Sequence, residues 1–137
     1  MGTDKGVKLD DNKPRLDLVL GDFPISLWLV GMVGTFGAKK YTDKGWKSVD
    51  NAIERYLSAL LRHYMKYKMG EEIDTESNLP HLAHLAWNAL AVLEIYQHIK
   101  DCKNTTRSYT FVDNSDFSPK LKQLCGYKYD CHYKDNM

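Results

Sequence analysis

Nothing in this 137-residue chain is apolar for long enough to cross a bilayer. No apolar stretch follows a basic start either, so neither a membrane span nor a secretory leader is expected, and the expected location is the cytoplasm. Charge of one sign is equally lacking: the formal net charge is +1, too small to draw the whole chain to DNA, RNA or an anionic membrane. Neither nucleic acid nor membrane is an expected partner. Cysteine is scarce and late, with Cys102, Cys125 and Cys131 in the last third. Cys125 and Cys131, with His132 beside them, lack the second ligand pair of a usual zinc site, which leaves free thiols in a reducing compartment as the expectation. Repeats and low-complexity tracts are absent as well.

What the chain does have is apolar patterning at helical period, with an ordinary apolar fraction of 43%. The length fits one folded domain that oligomerisation would help to stabilise. The longest element reads from about Pro80 to Lys100, with Ser77 or Asn78 as cap and Pro80 in the first turn. At about 100° per residue, His81, His84 and Asn88 share one stripe, continued by Leu85, Val92, Ile95 and Ile99. Leu82, Ala83, Ala86, Trp87, Leu90 and Leu93 fill the other sides, so this helix is expected to be buried all round, at the centre of a bundle completed by a second subunit. Buried His81, His84 and Asn88 then need partners, because an unpaired polar group in a core costs roughly 1–3 kcal/mol.

Two further helices are expected. Pro24 opens the first, which runs to Tyr41 with Gly31, Gly34 and Gly37 along one side, a bare face that implies a close neighbour. Lys39 and Lys40 stand at its end, where they complement the dipole or reach a phosphate. Asp50 is the expected cap of the second, which ends near Met69 and carries a core stripe of Ile53, Tyr56, Leu57, Leu60, Leu61, Tyr64 and Tyr67, with His63 on its flank. The predicted fold is all-α: a bundle of three main helices over residues 1–100, followed by an extension, 101–137, irregular or built on a hairpin at Tyr109–Val112, packing on the domain or a partner subunit. The start is a polar loop or arm in which Pro14 forces Lys13 toward an extended conformation, with Arg15 following it.

The link between the last two helices places Glu71, Glu72, Asp74 and Glu76 within six residues. A short link between antiparallel helices brings those acids to the bundle end where His63, His81 and His84 emerge. Carboxylates and imidazoles that converge in a helical bundle are a recurrent way to hold divalent cations, here Mg²⁺ or Mn²⁺, with imidazole favouring the transition metal. The expected metal residues are Glu71, Asp74, Glu76, His81 and His84. His63, Glu71 and Asp74 are the candidate catalytic residues, His63 as ligand or general base. Lys13, Arg15, Lys39, Lys40 and Arg62 are placed to hold phosphates, with Trp46 or a tyrosine stacking on a base and Asn88 as a further substrate contact. That inventory supports metal-activated water attacking a phosphorus atom.

Several segments in order carry a resemblance: Lys13-Pro14-Arg15-Leu16-Asp17-Leu18, Thr35 to Tyr41 with Trp46 after it, Arg62-His63, and Gly70-Glu71 through Asp74-x-Glu76-Ser77-x-Leu79-Pro80-His81 to Leu90. Over about residues 8–97 the chain resembles the phage-encoded dATP/dGTP diphosphohydrolase domain. The resemblance implies an all-α fold in the style of MazG-like nucleotide pyrophosphohydrolases, Mg²⁺ or Mn²⁺ as cofactor, and cleavage of a purine deoxynucleoside triphosphate to monophosphate and pyrophosphate in the host cytoplasm. It departs from the usual Glu-x-x-Glu and Glu-x-x-Asp ligand pairs, offering Glu54 and His63 on one helix and His81-x-x-His84 on the next, with Asn78 where glycine is expected. The depleted acidic pattern keeps open a second reading: a phage protein that binds and sequesters a nucleotide or cyclic-nucleotide immune signal without cleaving it. Under either, the partner is a nucleotide and the chain a homo-oligomer.

Overall fold

The computed structural model describes residues 5–102. An exposed arm leads into the short helix α1 (Asp17–Leu20), followed by α2 (Pro24–Lys40), a single tight 3-10 turn (Gly45–Ser48), α3 (Ala52–Lys68) and α4 (His81–Cys102). Among the described residues every named element is helical, as the apolar periodicity predicts. The hairpin at Tyr109–Val112, the remainder of the 101–137 extension after α4, and Cys125 and Cys131 lie outside the described residues.

Helix α2 opens on Pro24, whose fixed φ suits a first turn, and Lys39 and Lys40 occupy its last turn. Helix α4 is the hub: it packs along α3 and, on another side, against α2. The α2 side is built from Val33, Leu79 and Ala83 with Leu29, Phe36 and Trp87 around them. The α3 side is built from Ala52, Ile95 and Ile99, enclosed by Trp46, Val49, Ile53 and Tyr56. Trp87 joins the two, with Trp46 and Tyr56 edge-on to it at 5.7 and 5.8 Å. Of the three glycines on α2, Gly34 has the close neighbour: a Cβ there would lie 3.3 Å from Trp87 Nε1.

Within one chain α4 buries its His81, His84, Asn88, Ala91, Ile95 and Ile99 sector and leaves Leu82, Leu90 and Leu93 48%, 53% and 61% exposed. Two expectations need correction. Helix α3 divides the same way. Ile53, Tyr56 and Leu60 are half-buried, while Leu57, Leu61, Tyr64 and Tyr67 are exposed. Asp50 does not cap α3; Asn51 precedes Ala52 in the left-handed region, and its side chain makes no capping bond.

Candidate metal centre

The site is made by a sharp reversal at the end of α3. Gly70 takes φ +95, which L residues avoid. Its N–H bonds to Tyr67 O and the next N–H, that of Glu71, to Lys66 O, both at 3.0 Å. This paired closure ends the helix and turns Glu71 back toward the bundle. The connection then folds on itself: Ile73 bridges Pro80, and Asp74 N–H donates to Leu79 O at 2.9 Å. Asn78 sits at the bend with φ +58, a left-handed conformation that asparagine tolerates and that explains its standing where glycine is expected. His81 N–H, an orphan donor at the start of α4, is satisfied by Glu72 O at 2.9 Å.

This architecture brings His63 from α3, Asp74 from the connection and His81 from α4 together. One donor atom from each lies within 4.8 Å of the others. His63 Nδ1 and His81 Nδ1 are 2.8 Å apart. On the far side of the His81 ring, Nε2 lies 3.1 Å from Glu71 Oε1, and Glu71 Oε2 lies 3.5 Å from Lys66 Nζ. Glu71 therefore stands behind His81, in the place of a carboxylate that orients a ligating histidine. His84 stacks on His63, centroids 4.4 Å apart and planes 8° from parallel, and Phe36 meets it edge-on at 6.5 Å. Ser77 Oγ joins Asp74 Oδ2 at 2.7 Å to His84 Nε2 at 2.6 Å.

The electrostatics match this geometry. Burial, then the neighbouring His84 and His81 rings, push His63 down to about 4, so it carries a free lone pair at neutral pH. Burial also lowers His84, against the pull of Asp74. Burial works to raise Asp74, but the hydrogen bonds from Ser77 and the adjacent imidazoles outweigh it and hold the carboxyl below its usual range. The His81 hydrogen bond lowers Glu71, helped by the Lys66 charge. A neutral imidazole beside an ionised carboxylate can accept a cation without first losing protons. The donor set thus fits a divalent ion, and His63, Asp74 and His81 are the residues that could hold one.

Other sequence-predicted residues are not among the three clustered donors. Glu76 pairs with Lys40 at the end of α2, and the Lys40 ammonium sits 5.4 Å from the Tyr41 ring centroid. Arg62 donates to Ser58 on its own helix at 3.0 Å, and Arg15 pairs with Asp17 on the arm at 2.6 Å. Lys13, on the same exposed arm, donates its backbone N–H to Asp10 O at 3.1 Å, and Lys39 is exposed in the last turn of α2. Asn88 is buried and donates to His84 O at 2.7 Å. Trp46 is packed against Trp87, and its carbonyl accepts the Tyr56 hydroxyl at 2.8 Å. Sequence reasoning missed two residues. Ser77 reads as a helix cap and instead bridges two side chains of the site; its spacing from Asp74 was the available signal. Lys66 reads as surface charge and backs Glu71.

Residues 3–105 match the family described as dATP/dGTP diphosphohydrolase, N-terminal. The chain belongs to that family. The match runs from the arm to the end of α4 and so takes in the whole His63, Asp74 and His81 cluster. It is similar to a dATP/dGTP diphosphohydrolase of Salmonella phage PMBT28, at 33% identity over 81 residues. That alignment takes in 59% of this chain and 26% of the relative, so the chain spans only about a quarter of the relative's length. No solved structure matches the chain.

Proposed function

We propose that this chain carries the cation-binding centre of an enzyme that hydrolyses purine deoxynucleoside triphosphates, dATP or dGTP, to monophosphate and pyrophosphate, with Mg²⁺ or Mn²⁺ as the cation. The observation that carries the reading is the convergence of His63, Asp74 and His81 donors within 4.8 Å in a member of this family. Two imidazoles in a three-residue donor set favour Mn²⁺ over Mg²⁺. When bound, the cation supplies positive charge to phosphate oxygens and a water of lowered pKa.

The chain's own residues do the rest. Asp74 contributes an oxygen that is ionised at neutral pH, and Glu71 fixes the orientation of His81. His63 serves as ligand or as general base, and both roles need the lone pair that its low pKa keeps available. Lys13, Arg15, Lys39, Lys40 and Arg62 are assigned to the phosphates, with Lys40 tied to the acidic connection through Glu76. The apolar sectors left open on α3 and α4 are assigned to a second copy of this chain, since exposed leucines along two helices exceed the scattered apolar residues a monomer usually shows.

The test is incubation with dGTP or dATP and Mn²⁺, with products followed by phosphorus NMR. Monophosphate and pyrophosphate that vanish on adding EDTA support the proposal. Tight binding of a nucleotide recovered intact would contradict it.

A further inference from the structure

Ser77 brings a hydroxyl to the centre, and all of its bonding capacity is used. A serine oxygen has one proton to give and two lone pairs. Asp74 Oδ2, 2.7 Å away, belongs to an ionised carboxylate and can only accept, so the hydroxyl proton goes there. His84 Nε2, 2.6 Å away, must then donate, as does Leu79 N–H at 3.3 Å. The hydroxyl thereby dictates the tautomer of His84, with the proton on Nε2 and the lone pair on Nδ1. The same Asp74 oxygen also takes the Ser77 backbone N–H at 2.9 Å. That bond closes the turn together with Asn78 N–H to Asp74 O at 2.8 Å and Asp74 N–H to Leu79 O at 2.9 Å. The reach to a buried imidazole seven residues later is something the turn does not require. The ring at the other end is clamped in its turn, stacked on His63 and met edge-on by Phe36.

We propose that Ser77 is the positioning residue of the centre: its hydroxyl locks Asp74 to the clamped His84 ring and so fixes the orientation in which the Asp74 carboxylate meets His63 and His81. This rests on the metal reading given above. It assigns His84 a supporting place behind Asp74, reached through Ser77.

Two measurements on the full chain test it. In metal-free protein, long-range ¹H–¹⁵N spectra of the histidine rings are expected to show His84 with its proton on Nε2, and Ser77→Ala is expected to lose that preference while Ser77→Thr keeps it. In titrations with Co²⁺, Ser77→Ala is expected to bind roughly 10- to 100-fold more weakly, the loss typical of an outer-shell partner. Its cobalt d–d bands should shift, and Ser77→Thr should restore affinity and spectrum. Unchanged affinity and bands in Ser77→Ala, or a wild-type His84 protonated on Nδ1, overturns the assignment alone. A wild-type chain that takes up no Co²⁺ overturns the metal reading and this assignment with it. Should Ser77→Ala not fold, Ser77→Cys, a weak donor of similar size, is measured in its place, with the same expected weakening and the same overturning result.

Discussion

His63 and His81 present Nδ1 to Nδ1 across 2.8 Å, one from the middle of α3 and the other from the first residue of α4. In the uncharged pair only one of the two nitrogens carries a proton. Glu71 decides which, because the His81 Nε2–H donates a hydrogen bond to that carboxylate and leaves the lone pair on Nδ1. His63 then donates to it. A cation between the rings needs both lone pairs, and His63 supplies its own by holding its proton on Nε2 instead. On the metal reading proposed above, the pair would exchange this hydrogen bond for a bound ion.

The ranking of substitutions at this pair follows from who touches the ion. His63→Ala removes a donor and is expected to weaken Mn²⁺ or Co²⁺ binding by more than the roughly 10- to 100-fold of an outer partner. Glu71→Ala, which only frees the His81 ring, is expected to fall within that range. Isothermal titration of both variants checks the order.

Stability of the metal-free chain is expected to fall as pH drops from about 6.5 toward about 4. In that window the unfolded chain binds a proton at His63 that the folded chain refuses, so unfolding takes up protons and acid favours it. His84 is lowered too and acts in the same direction, and Asp74 and Glu71, held low in the fold, continue the loss at still lower pH. Thermal melts in EDTA across this range test the sign. A His63→Gln variant should show a shallower slope.

Gly70→Ala is expected to destabilise the fold by about 1–2 kcal/mol, because an L side chain resists the left-handed region that this helix end requires. Since Gly70 also aims Glu71 at His81, the same variant should lose metal affinity. Chemical denaturation and cobalt titration read the two effects separately.

Self-association is expected through the sector of α4 that carries Leu82, Leu90 and Leu93. Light scattering should give a dimer or larger species for the wild type, and Leu93→Glu should shift it toward monomer without lowering helix content. A wild-type chain that stays monomeric at high concentration contradicts this assignment.

Much of this was legible in the sequence because helical period and turn chemistry are local. Pro24 and Lys40 bound α2, and His63, His81 and His84 do share one space with Asp74 and Glu71, as helical spacing and a short acidic link require. The sides of each helix were less legible. An all-apolar α4 reads as buried all round, yet whether Leu90 and Leu93 are covered depends on what packs there, which spacing along one chain does not encode. Division of labour among the acids was hidden for a similar reason. Glu71, Asp74 and Glu76 look equivalent in a charge run, and only the turn geometry sends Glu71 behind His81, Asp74 into the cluster and Glu76 to Lys40.

The most direct measurement is a crystal structure of the Mn²⁺-soaked chain with anomalous difference maps. The account predicts one strong peak coordinated by His63 Nδ1, His81 Nδ1 and an Asp74 oxygen, with Glu71 still bonded to His81 Nε2. A peak elsewhere, or the two rings still hydrogen-bonded to each other at saturating Mn²⁺, would contradict it.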